Sequence, residues 1–226
     1  MRRVTAFVSK RAIAEHLSDV RILAVADEVA ESLYGDTLKE LRPDLVLAAG
    51  DLPFDYLENL VSRTDVPLLY VPGNHDPELK LGDSTFEGLS AKFDGSGPAG
   101  CINVDGRIEA AAGIWIAGLG GSIRYNEGPN KYTQREMRWR ARKLEWRARL
   151  RRRRVDVLLT HAPAAGLGDA ADPAHVGFDA FKRLVLRLRP RMHIHGHVRN
   201  FGPKNEDLRL GDTVIVNAIP YRLVEL

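Results

Sequence analysis

The chain has 226 residues with 33 Lys or Arg, 30 Asp or Glu and one cysteine, for a formal net charge of +3. That length accommodates one sizeable core, and no Ser/Gly-rich or Pro-rich linker divides it, so one domain over residues 1–226 is expected, with 1–20 as an N-terminal extension. Single Cys101 excludes an internal disulfide and a cysteine zinc knuckle. The opening MRRVTAFVSKRAIAEHL lacks the apolar core of a signal peptide, and no run approaches the roughly 20 apolar residues of a membrane span. A cytoplasmic protein with no membrane partner is expected.

In chain order, short apolar runs rich in Val, Ile and Leu read as buried strands: RILAVAD (21–27), DLVLAAGD (44–51), VPLLYVPGNHD (66–76), IWIAGLGG (114–121), VDVLLTHAP (155–163) and RMHIHGH (191–197). Helical patterns lie between several of them, at 53–63, 131–152 and 177–189. This alternation predicts a layered α/β fold. Residues 77–100, with five glycines and two prolines, read as a long irregular connection. The end, LRLGDTVIVNAIPYRLVEL, reads as short antiparallel strands with a Gly-Asp turn at 211 and 212.

Nearly every predicted strand ends in a residue suited to metal or phosphate chemistry: Asp27, Gly50-Asp51, Gly73-Asn74-His75-Asp76, His161 and Gly196-His197. Strand ends of an open α/β sheet share one edge, where ligands bind, so these side chains should converge. Taken singly, each is commonly a cap, a turn former or a hydrogen-bonded histidine. Five in a row are harder to explain that way.

In this order, Asp27, GD (50–51), GNHD (73–76), TH (160–161) and GH (196–197) resemble the calcineurin-like metallophosphoesterases, from about residue 21 to the C-terminus. The resemblance implies a four-layer α/β/β/α sandwich of two mixed sheets flanked by helices, with one or two divalent ions (Mn, Fe, Zn or Ni) at one edge. It implies Asp51 as a bridging ligand, with Asn74, His161 and His197 completing one pocket and Asp27 contributing to the other. The implied activity is phosphoester hydrolysis, on a diester or monoester. Metal-activated water attacks phosphorus, His75 assists the leaving group, and Asp76 fixes the tautomer of His75. The implied partner is a phosphate-ester small molecule or nucleotide.

The sequence departs from the family pattern in one pocket. The opening Asp-x-His reads Asp27-Glu28-Val29, and the closing Gly-His-x-His reads Gly196-His197-Val198-Arg199. Glu28 should face away if Asp27 faces the site along an extended segment. Arg199 cannot ligate a cation, but its guanidinium forks naturally onto carboxylates or a phosphate oxygen, so it is expected near Asp27, Asp51 or substrate. An alternative is then a weakly active or inactive phosphate-binding protein in which Arg199 replaces one ion. His195 shares a strand face with His193 and is a candidate substrate contact, whereas His193 reads as a core residue. Arg124, beyond the Gly118–Ser122 turn, is a further substrate candidate.

Residues 133–154 carry eleven Arg or Lys against Glu136 and Glu145. On a helical wheel Met137, Ala141, Leu144 and Ala148 form one stripe, with Trp139, Trp146 and Leu150 nearly opposite. For this basic helix (131–154), a homo-oligomer interface through Trp139 and Trp146 ranks first, a solvated face second and a nucleic-acid contact third.

Overall fold

A computed structural model describes residues 19–78, 97–199 and 207–226. Thirteen strands are described: β1 Arg21–Val25, β2 Leu45–Ala48, β3 Leu68–Tyr70, β4 Cys101–Asn103, β5 Ile108–Ala111, β6 Ile114–Leu119, β7 Ser122–Ile123, β8 Lys131–Tyr132, β9 Val157–Thr160, β10 Met192–His195, β11 Leu208–Leu210, β12 Thr213–Asn217 and β13 Tyr221–Glu225. Four α-helices accompany them, α1 Thr37–Leu41, α2 Phe54–Arg63, α3 Gln134–Arg151 and α4 Asp179–Leu188, with a 3-10 helix at Glu31–Tyr34.

The strands form two large mixed sheets, ordered β13-β1-β2-β3-β4 and β11-β12-β10-β9-β6-β5, plus the small β7-β8 pair. Strands β1 to β4 run parallel in the first sheet, and β6, β9, β10 and β12 run parallel in the second. The outermost β13, β11 and β5 are antiparallel to their neighbours.

Period-2 alternation assigns each strand's side chains to two cores. Ile22 and Ala24 of β1, Leu45 and Leu47 of β2, Val157 and Leu159 of β9 and Ile194 of β10 share the cluster between the sheets. Their neighbours Leu23, Val25, Val46 and Ala48 turn outward onto Leu33, Leu38, Tyr56, Leu57 and Leu60. On the far side, Ala117, Leu119 and Leu158 meet Met137, Ala141, Leu144, Phe181, Leu184 and Val185 of α3 and α4. The result is the four-layer α/β/β/α order implied by the sequence motifs.

The wheel of α3 holds in detail: Met137, Ala141, Leu144 and Ala148 are buried, while Trp139, Trp146 and Leu150 are exposed. Its start is a capping box, in which the Thr133 hydroxyl accepts from the Glu136 N–H and the Glu136 carboxylate accepts from the Thr133 N–H.

Other expectations are revised. The C-terminal strands do not form one antiparallel group: β11 and β12 pair around Gly211 as expected, but β12 also runs parallel to β10, and β13 crosses to the other sheet beside β1. The short helices at 31–41 and strands β4 and β5 are additions to the predicted elements, and none of them has a strong period in the sequence. Most of the predicted 77–100 connection, residues 79–96, lies outside the described residues.

Candidate metal centre

Parallel strands β1, β2 and β3 of one sheet and β9 and β10 of the other deliver their carboxyl ends to one edge, and Asp27, Asp51, Asn74, His161 and His197 follow those ends within a few residues. One ligand atom from each of Asp27, Asp51, His161 and His197 lies within 4.8 Å of the others. Asn74 joins them, with its Oδ1 2.9 Å from His161 Nε2. Close backbone packing makes this convergence possible: a Cβ at Gly73 would collide with the Asp51 carboxylate, and one at Gly196 with the Asp27 carboxylate. Asp27, Asp51 and His197 adopt left-handed backbone conformations, with φ of 59°, 56° and 68°.

The hydrogen bonds fix which ring nitrogens face the cluster. His161 Nδ1 lies 2.7 Å from the Ala49 carbonyl and donates to it, so Nε2 points inward, 3.4 Å from Asp51 Oδ2. His197 Nε2 lies 2.8 Å from the Ala174 carbonyl, which leaves Nδ1 as its ligand atom. Outer-shell bonds of this kind set the tautomer a ligating imidazole needs. Asp27 Oδ2 accepts from the His197 N–H at 2.8 Å, and Asp51 Oδ1 accepts from the His75 N–H at 2.8 Å.

The donor set fits a cation. His161 Nε2 meets only acceptors, Asn74 Oδ1 and Asp51 Oδ2, so either a proton or a metal must occupy the space between them. Burial favours neutral His161, but the Asp51 hydrogen bond and charge, with the Asp27 charge, lift its pKa to about 9. Burial pushes Asp51 up, and the hydrogen bond and charge of His161 more than reverse this, leaving it below the usual carboxylate value. Asp27 is raised to about 6 by burial, a rise the His161 charge and the His197 N–H only partly offset. His197 is lowered to about 3, by burial and then by the His161 charge, so it is neutral and ready to ligate.

Several predicted residues take other positions. Arg199, expected near Asp27, Asp51 or substrate, pairs with neither aspartate and extends its Nε to 2.6 Å from Glu28 Oε1 at the protein surface. The chain leaves the extended conformation at Asp27, and this turn carries Glu28 out to the arginine. Asp76, expected to orient the His75 ring, accepts instead from the backbone N–H groups of Gly73 at 2.7 Å and Asp51 at 3.1 Å, bracing the two ligand loops together. The His75 side chain is exposed at the rim.

His195, expected to contact substrate, is buried beneath the cluster with Nδ1 3.1 Å from the Gly196 carbonyl, and burial lowers its pKa to about 4. His193 is a core residue, its Nε2 2.8 Å from the Thr160 hydroxyl. Arg124 is engaged by the Lys131 carbonyl and by Glu136, where it ties the β7-β8 pair to the start of α3.

One residue at the site has no signal in the sequence. His175 stands with its ring centroid 5.1 Å from that of His197, and its Nδ1 is held 2.8 Å from Asp172. It comes from an irregular polar segment with no strand end or motif to mark it.

The two-sheet sandwich thus carries carboxylate, imidazole and amide donors in one cluster at its carboxyl edge, a set that could hold a metal ion. The family model for calcineurin-like phosphoesterases matches residues 16–199, and the chain belongs to that family. No curated protein sequence matches it. Among solved structures, one crystal structure superposes with a TM-score of 0.66 at 16% identity, covering 92% of this chain and 95% of the other. The TT1561 protein of Thermus thermophilus superposes at 0.60, with 18% identity and 89% of each chain covered. GAP50, the anchor in the inner membrane complex of Plasmodium, superposes at 0.51 with 12% identity over 88% of this chain and 71% of its own. At these identities the likeness is one of fold.

Proposed function

We propose that the protein is a phosphoester hydrolase whose centre holds a single divalent cation among Asp27, Asp51, Asn74, His161 and His197. The observation that carries this reading is the convergence of four ligand atoms within 4.8 Å, with His161 Nε2 turned onto acceptors alone. Ligands bound at about 2.0–2.2 Å lie at most about 4.4 Å apart across one ion, close to the span seen. Two carboxylates, two imidazoles and an amide oxygen suit Mn, Fe, Zn or Ni.

A cation bound there would polarise a phosphoryl oxygen and lower the pKa of water held beside it. The chain's own groups supply the rest. Asp51 and Asp27 bring the negative charge that holds the cation, and the Asp76 brace keeps the Asp51 loop against the Asn74 loop. His75, anchored through its N–H to Asp51 and exposed at the rim, is placed to protonate a leaving oxygen. His175, oriented by Asp172, offers a second imidazole to a bound phosphate.

The test is metal analysis with turnover of p-nitrophenyl phosphate and bis(p-nitrophenyl) phosphate. One ion per chain is expected, with hydrolysis that requires added Mn, stops with chelator and falls in His75→Ala. Hydrolysis unaffected by chelator, or by Asn74→Ala and His75→Ala together, would refute the reading.

A further inference from the structure

Helix α3 presents a feature the hydrolytic centre does not use. Opposite its buried stripe stand Trp139, Trp146 and Leu150, exposed by 56%, 67% and 69%. At 100° per residue they fall on one line, and because the other face of α3 packs on the sheet, that line is the outermost ridge of this layer. Neighbouring α4 also turns a leucine outward: Leu186, 52% exposed, lies opposite the buried Phe181, Leu184 and Val185.

The shoulders of the ridge are cationic. Arg138, Arg142 and Lys143 are exposed, and among the described residues none of them pairs with a carboxylate. The Arg142 guanidinium lies 5.7 Å from the Trp139 ring centroid. From residue 138 to residue 154 the only acidic side chain is Glu145, which is buried and paired with Arg149 at 2.7 Å and Arg187 at 3.1 Å. Over residues 138–154 the face therefore offers exposed cations and no exposed carboxylate, and the exposed carboxylate of the first turn, Glu136, is already paired with Arg124 at 3.1 Å.

We infer that this face docks on an anionic lipid surface, with the indoles and leucines entering the headgroup boundary and the arginines and lysine sitting among lipid phosphates. Its charge calls for a polyanion. In a two-fold pairing through the ridge, residues 138–154 of a second copy would set cation against cation with no exposed carboxylate of that stretch to answer them. Between polyanions, the shape decides. A single nucleic-acid strand is held in a basic groove with bases stacked on aromatic faces, whereas here the apolar groups crown a convex ridge, and Leu150 and Leu186 have no ring on which a base could stack. Tryptophan and leucine flanked by Arg and Lys on an amphipathic helix match the interfacial mode, and cations near an anionic leaflet add to the attraction. None of these residues touches the metal centre, so the inference stands apart from the hydrolase reading.

The experiment is flotation of the full chain with vesicles of phosphatidylcholine alone and of phosphatidylcholine mixed with phosphatidylglycerol, followed by tryptophan emission. The mixed vesicles should capture the protein and shift its emission to the blue, and neutral vesicles should not. Replacing the crown (Trp139→Ala, Trp146→Ala, Leu150→Ala) should abolish the emission shift and weaken capture. Neutralising the shoulder (Arg138→Gln, Arg142→Gln, Lys143→Gln) should weaken capture on the order of a hundredfold, from about fivefold per lost cation. All six positions are exposed, and thermal melting of both variants checks that the fold persists.

The inference is overturned if mixed vesicles fail to capture the protein, or if both variants are captured as well as the unaltered chain. Binding of single-stranded oligonucleotides through the same residues without vesicle capture would also overturn it. So would a concentration-dependent dimer that buries the crown without lipid.

Discussion

The centre should bind its metal in competition with one proton, and His161 sets the terms of that competition. In the metal-free protein its Nε2 proton bridges toward Asn74 and Asp51, and its pKa of about 9 means that this proton is nearly always present at neutral pH. A cation must displace it. The protonated fraction at neutral pH weakens apparent affinity by about a hundredfold, so affinity should rise about fiftyfold from pH 7 to pH 9 and level off above that. Below pH 6 the slope should steepen as Asp27, with a pKa of about 6, takes a second proton. His197 should add no slope in this range, because its pKa lies at about 3.

The linked stability effect has a definite sign. A histidine raised from 6.5 to about 9 favours the metal-free fold below pH 6.5, by about 3 kcal/mol on an order-of-magnitude basis, and that contribution is lost as pH rises through 9. Calorimetric titration with Mn in buffers of different ionisation enthalpy measures both affinity and protons released. About one proton should leave per ion at neutral pH. Affinity independent of pH between 7 and 9, or binding without proton release, would refute the assignment of His161 Nε2 as a ligand.

Three further outcomes follow from the geometry. Arg199→Ala should leave stability unchanged within about 1 kcal/mol and should not add a second ion per chain, because its ion pair is with half-buried Glu28 rather than a site carboxylate; urea unfolding and metal analysis read both. Gly73→Ala should abolish metal uptake even if the chain folds, since the new methyl group meets the Asp51 carboxylate. Asp76→Ala should cost about 1–3 kcal/mol and lower turnover by loosening two loops, while Asp76→Asn, which keeps an acceptor for the Gly73 and Asp51 N–H groups, should restore most of the stability.

The layered α/β alternation and the ligand cluster were legible in the residues for a common reason, while the four-layer order came from the family resemblance. Buried parallel strands appear as short apolar runs, and the glycines of GD, GNHD and GH mark places where a Cβ would displace a carboxylate or a backbone. Those signals are local. Arg199 was not legible, because its partner depends on how the chain turns at Asp27, and a left-handed residue there breaks the alternation on which side-chain direction rests. Asp76 is deceptive in the sequence because its neighbour His75 is a more obvious partner than two backbone N–H groups. The docking of the Asp172–His175 segment against His197 joins residues about twenty apart through a carbonyl and a ring contact, and neither has a sequence signature.

The left-handed backbone at Asp27, Asp51 and His197 has a consequence for the energy of the whole molecule. Each non-glycine residue held there costs on the order of 1 kcal/mol, and three of the eight such residues among the described ones gather at this one edge beside two carboxylates, so the candidate metal edge concentrates strain. Glycine at any of the three positions would suit the backbone better and would remove a ligand. The polypeptide therefore carries a strained rim whose carboxylates are answered by the His161 proton until a cation takes its place, and the loaded protein should be stiffer at that edge than the sandwich beneath it requires.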